Sequence, residues 1–330
     1  MTAPLISQAV TIHDLSGEFN GNALAEDVLD GLTRPFKEIP PKYFYDAAGA
    51  HLFDRICDLP EYYPTRTEAS ILREHAPGIV ERTQAAELVE LGSGTAEKTR
   101  ILLAEMNTAG TLRRYVPVDV TEEMVREVAS SLTSDYPQLA VHGVIGDFET
   151  DLGQIPEADG PRIVAFLGGT LGNFTPGARR RFLRDISGLL RPGDSLLIGH
   201  DLVKDPAIIE AAYNDSAGIT AAFNRNILNV VNHELDADFE PEAFEHVAFF
   251  DRKNEWIEMR LRAKRDMDVH VGKLNLDVRF AAREEIRTEI SAKFTRERLS
   301  ADFAAAGLVV EDLLTDPDDL YGLSLSRRAV

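Results

Sequence analysis

The chain has a single cysteine, Cys57, in 330 residues. That excludes an intrachain disulfide and any cysteine-rich metal centre. Positive charge is also scarce: 35 Lys and Arg stand against 55 Asp and Glu, a formal net charge of −20. Duplex DNA or RNA, held largely by basic contacts to phosphate, is a poor partner for such a surface. No stretch approaches the roughly 20 uninterrupted apolar residues of a membrane span. The opening MTAPLISQAVTIHDLSGEF lacks the basic and apolar blocks of a secretion leader. The eight histidines are scattered, with no His-Glu-x-x-His or comparable spacing, so no metal is expected. Repeats and low-complexity tracts are absent too. What is left, with 44% hydrophobic residues, reads as a soluble cytoplasmic globular protein, long enough for one large unit with an elaboration or for two domains.

The most informative stretch present is Ala86-Glu-Leu-Val-Glu-Leu-Gly-Ser-Gly-Thr-Ala-Glu-Lys98. An apolar strand ends in Gly92 and Gly94, and a polar helix follows. Such glycines let a ligand lie on bare backbone at the carboxyl end of a parallel strand. A dinucleotide fingerprint wants a third glycine where this chain has Glu97, whose carboxylate would repel a diphosphate. A nucleoside carrying positive charge, such as S-adenosylmethionine, suits the loop better; an ordinary strand-to-helix turn is the plainer reading. Further strands are expected at 113–120, 139–145, 161–170 and 195–199, alternating with helices at 97–105, 122–132 and 177–190. That rhythm predicts a doubly wound parallel sheet. Two closing strands, 308–313 and 321–325, follow a helix at 297–306 and fit the seven-stranded, Rossmann-like α/β sheet of class I methyltransferases. Residues 202–293 break the rhythm, with helices at 206–213 and 218–228 and then alternating strands. The expected division is a cofactor domain of 67–201 plus 294–330 and an α+β substrate domain of 14–66 plus 202–293.

Three further positions suit an adenosine ligand. Asp119, at the end of the second strand, can accept from both ribose hydroxyls, although it also reads as a helix N-cap. Asp147-Phe148 ends the third strand, an acid for the adenine amine beside a ring for its face. Lys98 can pair with a methionine carboxylate or be merely solvated.

The segments Pro41–Asp46, Leu52–Asp54, Pro60–Glu68, Glu90–Thr95, Phe166–Asn173, Ala221–Asn226 and Thr288–Phe294 resemble, in this order, those of the histidine-specific methyltransferase family. The resemblance runs from about residue 35 to the C-terminus. It implies three successive methyl transfers from S-adenosylmethionine, which leaves as S-adenosylhomocysteine, to the α-amine of L-histidine, giving hercynine for ergothioneine biosynthesis. It implies Gly92, Lys98, Asp119, Asp147 and Phe148 around the cofactor, with Tyr45 near the methyl-transfer zone. Tyr62 and Tyr213 would meet the substrate carboxylate, Asn173 the amine, and Glu289 with Ser291 the imidazole, beside Met259. Tyr45 and Asn173 are the candidate catalytic residues. Residues 1–30 match least and receive no role. A monomer is expected, with L-histidine as its small-molecule partner.

The residues make chemical sense of this. Glu289 and Ser291, two apart on an expected strand, leave the same face. A carboxylate can take a ring N–H, and a hydroxyl can donate or accept, which suits imidazole and not a phenyl ring. Without the resemblance Glu289 reads as a solvated acid, and Tyr62 and Tyr213 as packing residues. The Gly-Thr-Leu-Gly-Asn173 run differs from the Asn-Pro-Pro-Tyr of base and glutamine-amide methylases. Methylation of another amino acid or amine (a tryptophan derivative, for example), a non-catalytic S-adenosylmethionine-binding module and a nicotinamide dehydrogenase are the competing readings.

Overall fold

The computed structural model describes residues 10–15 and 22–329. Most of the N-terminal stretch read above for a leader therefore lies outside the described residues. The strands, in chain order, are β1 (Val10–Asp14), β2 (Lys37–Glu38), β3 (Glu87–Leu91), β4 (Arg114–Asp119), β5 (Ala140–Ile145), β6 (Arg162–Phe166), β7 (Ser195–Asp201), β8 (Phe244–Asp251), β9 (Trp256–Ala263), β10 (Met267–Val271), β11 (Leu276–Phe280), β12 (Glu285–Ala292), β13 (Leu308–Thr315) and β14 (Tyr321–Arg328). The helices are α1 (Asn22–Thr33), α2 (Ala47–Cys57), α3 (Tyr63–Thr83), α4 (Thr99–Thr108), α5 (Glu122–Asp135), α6 (Pro176–Leu189), α7 (Pro206–Tyr213), α8 (Ile219–Leu235) and α9 (Arg296–Ala305).

The large sheet runs β1-β5-β4-β3-β6-β7-β14-β13. Every pairing from β1 to β7 is parallel, and β14 enters antiparallel between β7 and β13. Its core is β3 and β6, buried at all five positions each, as strands covered on both faces must be. The expected seven strands are joined at one edge by an eighth, β1, from a segment given no role above. β1 pairs with β5 in register from Val10↔Val141 to Asp14↔Ile145. Its five residues are too exposed to carry an apolar pattern. The strand order reverses at β3, which lies between β4 and β6. Ligands of open α/β sheets sit outside the carboxyl ends of the strands at such a switch point.

The segment that breaks the alternation supplies the hairpin β10-β11 and three strands of a second sheet, β2-β12-β9-β8, whose edge strand β2 comes from the N-terminal part. They share one apolar cluster with α1, α7 and α8, built on Val28, Phe44, Phe223, Ile227, Leu261 and Phe280. Two other clusters fill the two faces of the large sheet. The 3-10 turn Thr170–Asn173, leaving β6, packs on β12 and so joins the two layers.

Candidate active site

The β3 loop opens because Gly92 and Gly94 take φ of +67° and +47°, conformations that side chains resist. Ala96 follows at +55°, which delays α4 to Thr99, two residues later than the apolar pattern suggests. Asp119 ends β4 and accepts from Gly94 N–H at 2.9 Å through one oxygen and from Thr121 N–H at 3.0 Å through the other. It therefore fixes the glycine loop, and each oxygen keeps a lone pair for a further donor. Asp147 caps its own turn by accepting from Glu149 N–H at 2.8 Å. Phe148 lies over the loop, so that a Cβ added to Gly92 would stand 3.4 Å from its ring. Lys98, just before α4, is ion-paired to Glu68. Glu68 is wholly buried and also accepts from Gly168 N–H, at 2.9 and 3.0 Å, and from the Tyr321 hydroxyl at 3.0 Å.

The other group gathers around the turn after β6. Asn173 donates through Nδ2 to Glu289 Oε1 at 3.0 Å and to the Ile290 carbonyl at 2.8 Å. Gly172 permits this approach: a Cβ there would meet the Ala292 carbonyl oxygen at 2.8 Å and Ser291 Oγ at 3.2 Å. Burial pushes the Glu289 carboxyl up to about 7, against the lowering effects of Asn173 and Lys293. Met259, on β9, is the direct cross-strand partner of Glu289, so the two side chains share a face. Ser291 Oγ lies 3.0 Å from the Tyr213 hydroxyl. The Tyr213 and Tyr62 rings meet edge to face at 6.3 Å. Tyr45 caps this wall, its ring against Phe53 and Phe223. Desolvation first, then the Glu289 carboxylate, raise the Tyr45 pKa, and Asp119 adds to it. The residue as a whole stays 48% exposed.

A family model for histidine-specific, S-adenosylmethionine-dependent methyltransferases matches residues 24–328. The chain belongs to that family. It is 51% identical over 314 residues to a histidine N-alpha-methyltransferase of Mycolicibacterium smegmatis, covering 95% of this chain and 98% of that one. A histidine N-alpha-methyltransferase of Mycobacterium tuberculosis is 48% identical over 320 residues, covering 97% and 99%. Ergothioneine biosynthesis protein 1 of Neurospora crassa is 34% identical over 200 residues, 59% of this chain and 23% of that longer one. The protein is thus an S-adenosylmethionine-dependent methyltransferase, and the β3 loop fits the donor. Its glycines leave a cradle that a Cβ on Gly92 would narrow, and the buried Ser93 Oγ has no partner among the described residues.

For a member of this family the sequence reading missed the residues behind the site. Glu68 ends one of the motifs that carry the resemblance and Lys293 is the last residue but one of another, yet neither drew a role. Asp201, ending β7, accepts from Lys293 at 2.8 Å and from Tyr63 at 2.9 and 2.8 Å, and pairs with Lys204. Asn224, another motif residue, is buried and accepts from Thr288, next to Glu289. Asn226 donates to Asp46 at 2.7 Å, holding the cap of α2 beside Tyr45. Burial of charged residues is the signal that would have found them, and a sequence does not display it.

Proposed function

We propose that the protein transfers three methyl groups in succession from S-adenosylmethionine to the α-amine of L-histidine, giving hercynine in ergothioneine biosynthesis. The observation that carries this reading is the bond from Asn173 Nδ2 to Glu289 Oε1. It brings an amide that follows β6 within hydrogen-bond distance of a carboxylate on β12, which supports reading Ser291, Tyr213 and Tyr62 with them as one site. The names of the relatives support the substrate, and the roles of individual residues are our assignment.

Gly92, Asp119, Asp147, Phe148 and Lys98 hold the donor in this reading, with Glu68 steadying Lys98. When bound, the donor supplies an electrophilic methyl group on a sulfonium. The chain supplies alignment and dehydration, which an in-line displacement needs more than it needs a covalent nucleophile. Tyr62 and Tyr213 take the substrate carboxylate. Glu289 and Ser291 take the two ring nitrogens, and Met259 packs beside the ring. Asn173 orients the amine. Its carboxamide oxygen is free to accept an amine N–H while Nδ2 is spent on Glu289 and Ile290. The raised pKa of Tyr45 keeps its hydroxyl protonated. It accepts an N–H of the amine, which has first given up its ammonium proton to solvent, and so directs the freed nitrogen lone pair at the methyl group.

The two-part division, 67–201 plus 294–330 against 14–66 plus 202–293, belongs to the same reading and is supported by the separate apolar clusters. So does a monomeric, cytoplasmic enzyme, which light scattering after size exclusion and cell fractionation would test. No helix among the described residues is long and apolar enough to cross a membrane. The deciding assay incubates the protein with S-adenosylmethionine and each of the twenty amino acids and reads products by mass. Histidine alone should gain one, two and three methyl groups; equal methylation of tryptophan, or none of any amino acid, would reject the assignment.

A further inference from the structure

Lys293 lies fully buried behind the wall that carries Ser291 and Tyr213. An ammonium has three donors and no acceptor. Here the three meet three oxygens: Asp201 at 2.8 Å, Ser291 Oγ at 2.9 Å and the Tyr213 hydroxyl at 3.1 Å. Burial opposes this charge, but Asp201 outweighs it and leaves the Lys293 pKa raised. Each hydroxyl therefore has one lone pair permanently taken from behind. The two hydroxyl oxygens are themselves 3.0 Å apart, a separation that calls for a proton between them. Of the two hydroxyl protons, one is spent inside the pair and one is left for the pocket.

We propose that Lys293 is a positioning residue that turns Tyr213 and Ser291 into a one-proton relay, in which Tyr213 donating to the substrate carboxylate forces Ser291 to accept from the imidazole. The proposal rests on the assignment of these residues to histidine above. A carboxylate only accepts, so Tyr213 must spend its proton on it. Ser291 then gives its proton to Tyr213, and its one remaining lone pair faces the ring. Glu289 is the acceptor at the other nitrogen, and Asn173, a donor, does not change that. The ring thus carries a proton toward Ser291, and a second proton lies between its other nitrogen and Glu289. The bound state holds one proton more than neutral histidine and an ionised Glu289. The titratable groups facing Glu289 are the phenols of Tyr45, Tyr62 and Tyr213, whose raised pKa values keep them neutral, and the Lys293 ammonium. A carboxyl held at about 7 is ready to share that proton.

The test uses Nα,Nα,Nα-trimethylhistidine, whose quaternary nitrogen has no proton to exchange. It is titrated at pH 8 into the protein saturated with S-adenosylhomocysteine, in buffers of differing ionisation heat. Binding should take up about one proton per ligand. In Lys293→Met, Asp201 becomes free to draw a hydroxyl proton away from the pocket. Ligand affinity should fall at least about tenfold and uptake by more than about half, with S-adenosylhomocysteine affinity unchanged. Should that variant not fold, Glu289→Gln carries the test. Its amide can donate to the ring, so binding persists and uptake disappears. Wild-type binding without uptake, or undiminished uptake in Glu289→Gln, overturns the relay. Trimethylhistidine that does not bind, or whose binding Glu289→Ala leaves untouched, overturns the substrate assignment instead.

Discussion

Replacing Glu289 by alanine should weaken histidine binding and strengthen the fold at once. The folded protein holds this carboxyl at about 7 against an ordinary 4.5, chiefly through burial. As pH rises from 4.5, the unfolded chain ionises first and the folded state falls behind. The penalty grows up to pH 7 and is constant above it, at about 3 kcal/mol. Alanine removes that penalty but leaves Asn173 one bond short, since the Ile290 carbonyl still accepts from it. The net effect is a melting temperature that rises by a few degrees at pH 8 and changes little at pH 4.5. Histidine loses a charge-assisted hydrogen bond worth about 1.5–3 kcal/mol, so its Kd rises roughly 10- to 150-fold. S-adenosylhomocysteine, which we assign to the β3 loop, keeps its Kd within about twofold. Calorimetry with each ligand and thermal melts at the two pH values read all of this. Equal losses for both ligands, or a lower melting temperature at pH 8, would refute the reasoning.

Three other outcomes follow from the geometry. Tyr45→Phe should slow at least one of the three methylation steps in single-turnover product analysis; unchanged rates for all three would remove Tyr45 from the mechanism. Gly172→Ala forces a Cβ to 2.8 Å from the Ala292 carbonyl oxygen and pushes Asn173 off Glu289. Overpacking of this kind destabilises by about 1–3 kcal/mol, and a shift of about 1 Å is enough to cut kcat about 100-fold; a kinetically normal variant would show that the turn has slack. Glu68→Gln leaves Lys98 without its counter-charge and should weaken S-adenosylhomocysteine about tenfold by calorimetry. A similar loss of histidine affinity at saturating S-adenosylhomocysteine would contradict that placement.

Much of the large sheet is legible because β6 runs apolar from Ile163 to Phe166, as two-sided burial demands, and because β3 stops at Gly92. β1 is not legible, since five mostly exposed residues at a sheet edge need no particular composition. The residues we assign to the donor could be approached from strand ends, because a switch point is a property of topology. Glu289 and Ser291 could not: only the resemblance separated them from solvated side chains on an alternating strand. Lys293, Asp201 and Glu68 stayed hidden for the opposite reason. A buried ion pair assembles charges from distant parts of the chain, and each charge alone looks like surface.

Glu68 finds the Tyr321 hydroxyl 253 positions further along the chain. During synthesis the anchor of Lys98 therefore stays incomplete until β14 has left the ribosome. Copies that lack β14, whether from early termination or from proteolysis of the β13-β14 hairpin, bury a glutamate without this partner. They should be cleared rather than compete with the intact enzyme for methyl donor.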